Sequence, residues 1–217
     1  MKQNEPLSSL THFIGLLLSI AALVLMIVFA ALYGSAWHIV GVSIFGASMI
    51  LLYCASTVYH AYCKTHHAKS FLQKMDRSFI YVLIAGTYTP LTLVVLHGAW
   101  GWTLFGMSWG LAVLGILAEL LIKKRKSWIS IPLYLIMGWL IVIAINPLLE
   151  NLSHTGFLFL LLGGICYTIG VLFFILDIFF PGKRWLSFHD IFHLFVIAGS
   201  FLHFWVMIRY VIYIPVV

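Results

Sequence analysis

Long apolar runs separated by short polar segments dominate this chain. The first runs from about His12 to Tyr33 and the second from His38 to His60. A third covers Phe79 to Leu96, a fourth Trp102 to Ile122, and a fifth Trp128 to Asn146, ending at Pro147. The sixth extends from Gly156 to Phe180, before Pro181-Gly182. The seventh begins near Phe188, its apolar part running from Ile191 to about Tyr213. Each is close to the ~20 residues a helix needs to cross a bilayer core of about 30 Å. The pattern predicts an all-α membrane protein, a seven-transmembrane-helix bundle forming one domain over residues 1–217. Residues 1–11 form a short polar tail. The first run is too long for the core of a secretory signal, and no A-x-A-like site closes it, so it reads as a retained span. A tight turn around His97 to Trp100 joins the third and fourth spans.

Composition agrees with the pattern. Of 217 residues 63% are hydrophobic and only 8% charged, against about 25% charged in a soluble domain. A net charge of +6 would suggest nucleic acid in a soluble protein. Here the basic residues sit between apolar runs, which excludes that reading and makes them a topology signal. Lys64, Lys69, Lys74 and Arg77 lie between the second and third runs. Lys123-Lys124-Arg125-Lys126 follow the fourth, and Lys183 and Arg184 follow the sixth. With Lys2, all but Arg209 fall on one side of the membrane. The positive-inside rule therefore places the N-terminus in the cytoplasm and the C-terminus outside, in a multi-pass protein of the cell membrane.

Three cysteines, Cys54, Cys63 and Cys166, contain no C-x-x-C pair, and an odd count argues against a disulfide framework. Cys54 and Cys166 read as small packing residues; Cys63 falls in a loop. Pro90, after Gly86-Thr87-Tyr88-Thr89, interrupts the third span and frees a carbonyl that neighbouring threonine hydroxyls can satisfy. Glycine pairs such as Gly163-Gly164 allow close helix contact.

The polar residues inside this apolar frame converge. His189 and His193, four apart, share one face at the start of the seventh helix. His60 ends the second span, Asp76 precedes the third, and Ser56 lies one turn before His60. Seven alternating spans bring all of these to the cytoplasmic end. Imidazole is a common zinc ligand, and three of them leave one position open on a tetrahedral ion, the arrangement of a catalytic site. His189-Asp190-x-x-His193 superficially resembles the H-E-x-x-H motif. Asp190 at i+1 points away from the histidine face, however, and reads as a helix N-terminal charge favoured by the dipole. His12 is a candidate for the surroundings of the site. His203, about ten residues deeper than His193, is expected to bond between helices. His66 and His67 read as solvated, and Glu119 as the i+4 partner of Lys123.

Ser56-x-x-x-His60, Asp76, Gly86-Thr87-Tyr88-Thr89-Pro90 and His189-x-x-x-His193 together resemble the hemolysin III family. That family is grouped with the progestin and adipoQ receptors and, more distantly, the alkaline ceramidases. The resemblance runs from about His12 to His203 and, with the short tail, points to the bacterial branch. It implies a Zn2+ ion held by His60, His189 and His193 near the cytoplasmic face. Asp76 corresponds to the acidic residue that contacts the attacking water, and Ser56 to the serine beside the site.

Zinc lowers the pKa of water toward neutrality. Asp76 would take the water's proton and pass it to a leaving amine or alkoxide. Ser56 would donate a hydrogen bond to the developing oxyanion. The implied function is hydrolysis of a lipid amide or ester, ceramide-like or acyl-lipid, with membrane lipid as substrate or ligand. A second reading is a non-enzymatic receptor or membrane-homeostasis sensor whose zinc clamps the second, third and seventh helices. Pore formation and cytolysis, which the family's name implies, rank last, because no span carries a charged stripe suited to a wide aqueous channel.

Overall fold

The computed structural model describes residues 6–61, 66–122, 127–180 and 186–216. Seven helices among them are long and apolar enough to cross a membrane: Pro6–Tyr33, Ala36–Ala61, His67–Val95, Ala99–Leu121, Ile129–Asn151, His154–Phe179 and Phe188–Tyr213. They are the first to seventh spans below, and no strand occurs among the described residues. The chain is a multi-pass membrane protein. Lys2, Cys63, Lys64, the Lys123–Lys126 block, Lys183 and Arg184 lie outside the described residues.

The helices are inside-out relative to those of a soluble protein. The first buries Ser8, His12, Gly15, Ser19, Met26 and Ala30, while Leu17, Leu18, Val24 and Leu32 face outward. The fourth buries Gly101, Leu104, Ser108, Ala112, Gly115 and Glu119. Both sets recur with the helical period. Lipid is as apolar as leucine, so bulky side chains lose nothing by facing it, and small ones let helices approach. Gly163 is one such contact: a Cβ there would lie 2.5 Å from the His203 ring of the seventh span, whereas its neighbour Gly164 has open space.

The third span is the axis of the bundle. Of its most apolar stretch 78% is buried, against half or less in the other six. It packs mainly on the second and fourth spans. The first and second pack as neighbours, as do the sixth and seventh, and the first also packs on the seventh, which closes the bundle. Ser8 Oγ donates to Asp190 Oδ1 at 2.5 Å across that seam.

Several helix ends differ from the hydropathy pattern. The first helix starts at Pro6, within the expected tail; proline suits the first turn, where its missing N–H has no partner in any case. The third helix starts at His66 rather than Phe79. Lys69, Lys74, Asp76 and Arg77 therefore ride on its first turns instead of a loop. The charges of these residues lower the hydropathy of the segment, but Lys69, Leu72, Gln73, Lys74, Met75 and Arg77 are good helix formers. His67 is accordingly exposed on a helix. Pro147 does not end the fifth span. It sits in the first turn of the helix Ile145–Asn151, where proline is tolerated.

Two spans change their winding midway. After Pro90 the third continues as a π-helical turn, Leu91–Val95. The threonine hydroxyls do not serve the carbonyl four residues before the proline. Thr87 Oγ1 donates to Leu83 O at 2.8 Å, Thr89 Oγ1 to Ala85 O at 2.9 Å and Thr92 Oγ1 to Thr89 O at 3.0 Å. In the fifth span the α-helix ends at Gly138 and resumes as a 3-10 turn, Leu140–Ala144. Tyr88 bridges the break: its hydroxyl donates to Gly138 O and accepts from Ile141 N, both at 2.9 Å. Gly98, with φ of +102°, makes the expected turn before the fourth span. Cys54 is exposed on the outside of the bundle and Cys166 half-buried.

Candidate metal centre and its cavity

The seventh helix places two of the three histidines through its own start signal. Ser187 caps it, its Oγ accepting from Asp190 N at 3.1 Å, while Asp190 Oδ2 accepts from Ser187 N at 2.9 Å and from Ser187 Oγ at 2.6 Å. With Ser8 on its other oxygen, Asp190 is buried and committed to fixing the helix end. One turn apart, His189 and His193 then project together.

They meet His60 at the end of the second span. One ligand atom from each of His60, His189 and His193 lies within 4.8 Å of the others, and His60 and His193 are buried. The Nε2 atoms of His60 and His189 are 3.4 Å apart, long for a hydrogen bond. It matches the edge of a zinc tetrahedron, about 3.3–3.4 Å for Zn–N bonds of about 2.0–2.1 Å. Nδ1 of His193 is buried without a hydrogen-bond partner among the described residues. The three rings could thus hold one divalent ion.

His12, from the first span, belongs beside this group rather than in it. Its ring stacks on His193 with centroids 3.6 Å apart and meets Tyr53 edge-on at 5.1 Å. Both of its nitrogens are buried without a hydrogen-bond partner. Tyr53 is fixed in turn by donating to Ser200 Oγ at 2.8 Å, and the Ser200 and Tyr167 hydroxyls lie 3.0 Å apart. The first, second, sixth and seventh spans are thereby tied behind the cluster.

The cluster opens on a cavity of roughly 400 Å³ inside the bundle. Ser56 and Asp76 line it, so all five residues singled out by sequence border one space: Ser56, His60, Asp76, His189 and His193. Ser56 is buried and Asp76 half-buried. Asp76 stands outside the three-residue ligand group. The cavity continues between apolar walls formed by Leu83, Ile84, Leu135, Val171 and Val196.

Further polar residues border it, among them Tyr59, Gln73 and Asp177, which sequence reasoning passed over, and Arg77, which it read only as a topology signal. Gln73 Nε2 donates to Tyr59 OH at 3.2 Å. Asp177 carried a signal of its own, being a carboxylate within an apolar span. Glu119 has neighbours that its spacing in the sequence did not suggest. It is buried, accepts a short hydrogen bond from Ser130 Oγ, and lies 3.9 Å from Arg77 Nη1; Lys123 is outside the described residues. His203 bonds within its own helix, Nδ1 donating to Gly199 O at 2.7 Å, and reaches the sixth span by stacking on Tyr167 at 5.2 Å.

A family model described as haemolysin-III related matches residues 1–204. The chain is similar to the hemolysin-3 homolog of Bacillus subtilis (strain 168), 46% identical over 214 residues, which are 98% of this chain and 97% of that protein. Hemolysin-3 of Bacillus cereus is 43% identical over 212 residues, 97% and 93% of the two chains. The human monocyte to macrophage differentiation factor is 27% identical over 187 residues, 80% of this chain and 71% of that one.

Proposed function

We propose, from the premise that this chain belongs to the haemolysin-III-related family, that it is a zinc-dependent hydrolase of a lipid amide or ester. His60, His189 and His193 hold the ion. Bound zinc supplies a Lewis acid that acidifies water and polarises a carbonyl. Asp76 takes a proton from the attacking water and delivers it to the leaving amine or alkoxide. Ser56 donates a hydrogen bond to the oxygen on which negative charge develops. The apolar depth of the cavity receives an acyl chain and keeps bulk water from it.

One observation carries this reading: three imidazoles within ligand distance of one another open on an apolar cavity that also presents a carboxylate and a serine. Lys69, Lys74 and Arg77 sit at the same end of the bundle as the cluster. That supports a cytoplasmic site in the cell membrane, with the N-terminus inside.

The test is metal content of the purified protein by elemental mass spectrometry, beside a His189→Ala/His193→Ala variant. About one zinc per chain, absent from the variant, is expected for a three-histidine site. Asp76→Asn should keep the metal and the fold and lower acyl amide or ester turnover by about 100-fold or more. Well-folded wild type without metal would sink the mechanism. The second reading, a receptor or sensor with structural zinc, draws on the cluster joining the second and seventh spans, which are distant in sequence. It requires Asp76→Asn to alter thermal stability and nothing else.

A further inference from the structure

We propose that His203 is a second recognition point deep in the same cavity, where its Nε2 accepts a hydrogen bond from a hydroxyl carried along the ligand's acyl chain. This rests on reading the cavity as a lipid site and adds which lipids it selects. His203 is buried in the seventh span and lines the cavity. Some three turns separate it from His193, about 15 Å along the helix axis.

The hydrogen bond to Gly199 fixes what the ring offers. A carbonyl only accepts, so Nδ1 carries the hydrogen, and in the neutral imidazole Nε2 keeps a bare lone pair. The Nδ1–Cε1 edge lies against Gly163, where a Cβ would come within 2.5 Å of both atoms, and one ring face is covered by Tyr167. Nε2 has no hydrogen-bond partner among the described residues.

The other polar groups at this depth already have partners. Thr87 donates to Leu83 O, Tyr88 to Gly138 O, and Thr168 to Gly164 O. The Trp139 indole donates to Thr168, and the Tyr167 hydroxyl is paired with Ser200. His203 is thus the strong acceptor left over in an otherwise apolar end. An ionisable side chain inside a membrane span is costly to keep; Nε2 is not among the fully enclosed atoms and opens on the cavity, where a hydroxylated ligand supplies it with a donor. An unsubstituted chain reaching this depth supplies none.

Ricinoleate and oleate test this directly, being the same acyl chain with and without a mid-chain hydroxyl. Their binding to the purified, detergent-solubilised full chain is measured by native mass spectrometry. Wild type should bind ricinoleate about fivefold more tightly or better, the worth of one neutral hydrogen bond. His203→Phe should lose that preference while still binding oleate, and His203→Gln, which retains an acceptor oxygen, should keep part of it. Equal affinity for the two acids in wild type would overturn the hydroxyl contact and leave the lipid site standing. A folded His203→Phe protein that kept the preference would overturn the assignment to this residue. Binding of neither acid would instead remove the lipid reading itself, and this inference with it.

Discussion

His12 lies face to face on His193, with ring centroids 3.6 Å apart and planes 15° from parallel. The contact joins the first helix to the cluster formed by the second and seventh, and it sets the plane in which the His193 ring can lie. Groups that orient a ligand ring typically change metal affinity by 10- to 100-fold when removed.

On the proposed zinc site, His12→Ala is therefore expected to weaken zinc binding by about tenfold, measured by competition with a chelator of known affinity. His12→Phe keeps an aromatic face on His193 and should stay close to wild type. Equal loss in both variants would show that a nitrogen of His12, and not its ring face, is what matters.

Tyr88→Phe removes the hydroxyl that serves Gly138 O and Ile141 N at the break in the fifth span. Water is scarce at that depth, so both backbone groups lose their partner. A loss of about 1–3 kcal/mol for each group left unpaired within the span is expected, read as a lower unfolding temperature in detergent. Metal content should not change, because Tyr88 is not one of the histidine ligand group.

Ser130→Ala takes a donor from buried Glu119, leaving Arg77 as a neighbour at 3.9 Å. Destabilisation of about 1–3 kcal/mol is expected. Glu119→Gln in the Ser130→Ala background should recover part of it, since a neutral amide tolerates burial better than a carboxylate. Thermal unfolding of the single and double variants would reveal the coupling, and additive losses would contradict it.

Seven spans, their order and the meeting of His60, His189 and His193 were legible from hydropathy and spacing, because a span's apolar length and an i, i+4 pair are local properties. The start of the third helix was not. Lys69, Lys74 and Arg77 look like loop residues by hydropathy, although a helix continues through them. The surroundings of Glu119 were legible only in part: its place on the stripe Ser108, Ala112, Gly115 points inward, while Ser130 and Arg77, its neighbours there, come from other helices. His12 continues a similar stripe with Ser8, Gly15 and Ser19. Contacts such as Tyr88 with the fifth span, or Arg77 with Glu119, depend on helix rotation about the bundle axis, which no single segment specifies.

The seam between the first and seventh spans gives the histidine cluster a place in time as well as in space. Chains emerge from the ribosome N-terminus first, so His12 and His60 are made long before His189 and His193. Until the last helix docks, the earlier pair lacks His189 and His193, and Ser8 has no Asp190 to hold. The cluster is thus a late product of synthesis, and its presence in a newly made molecule reports that the last helix has docked against the first two.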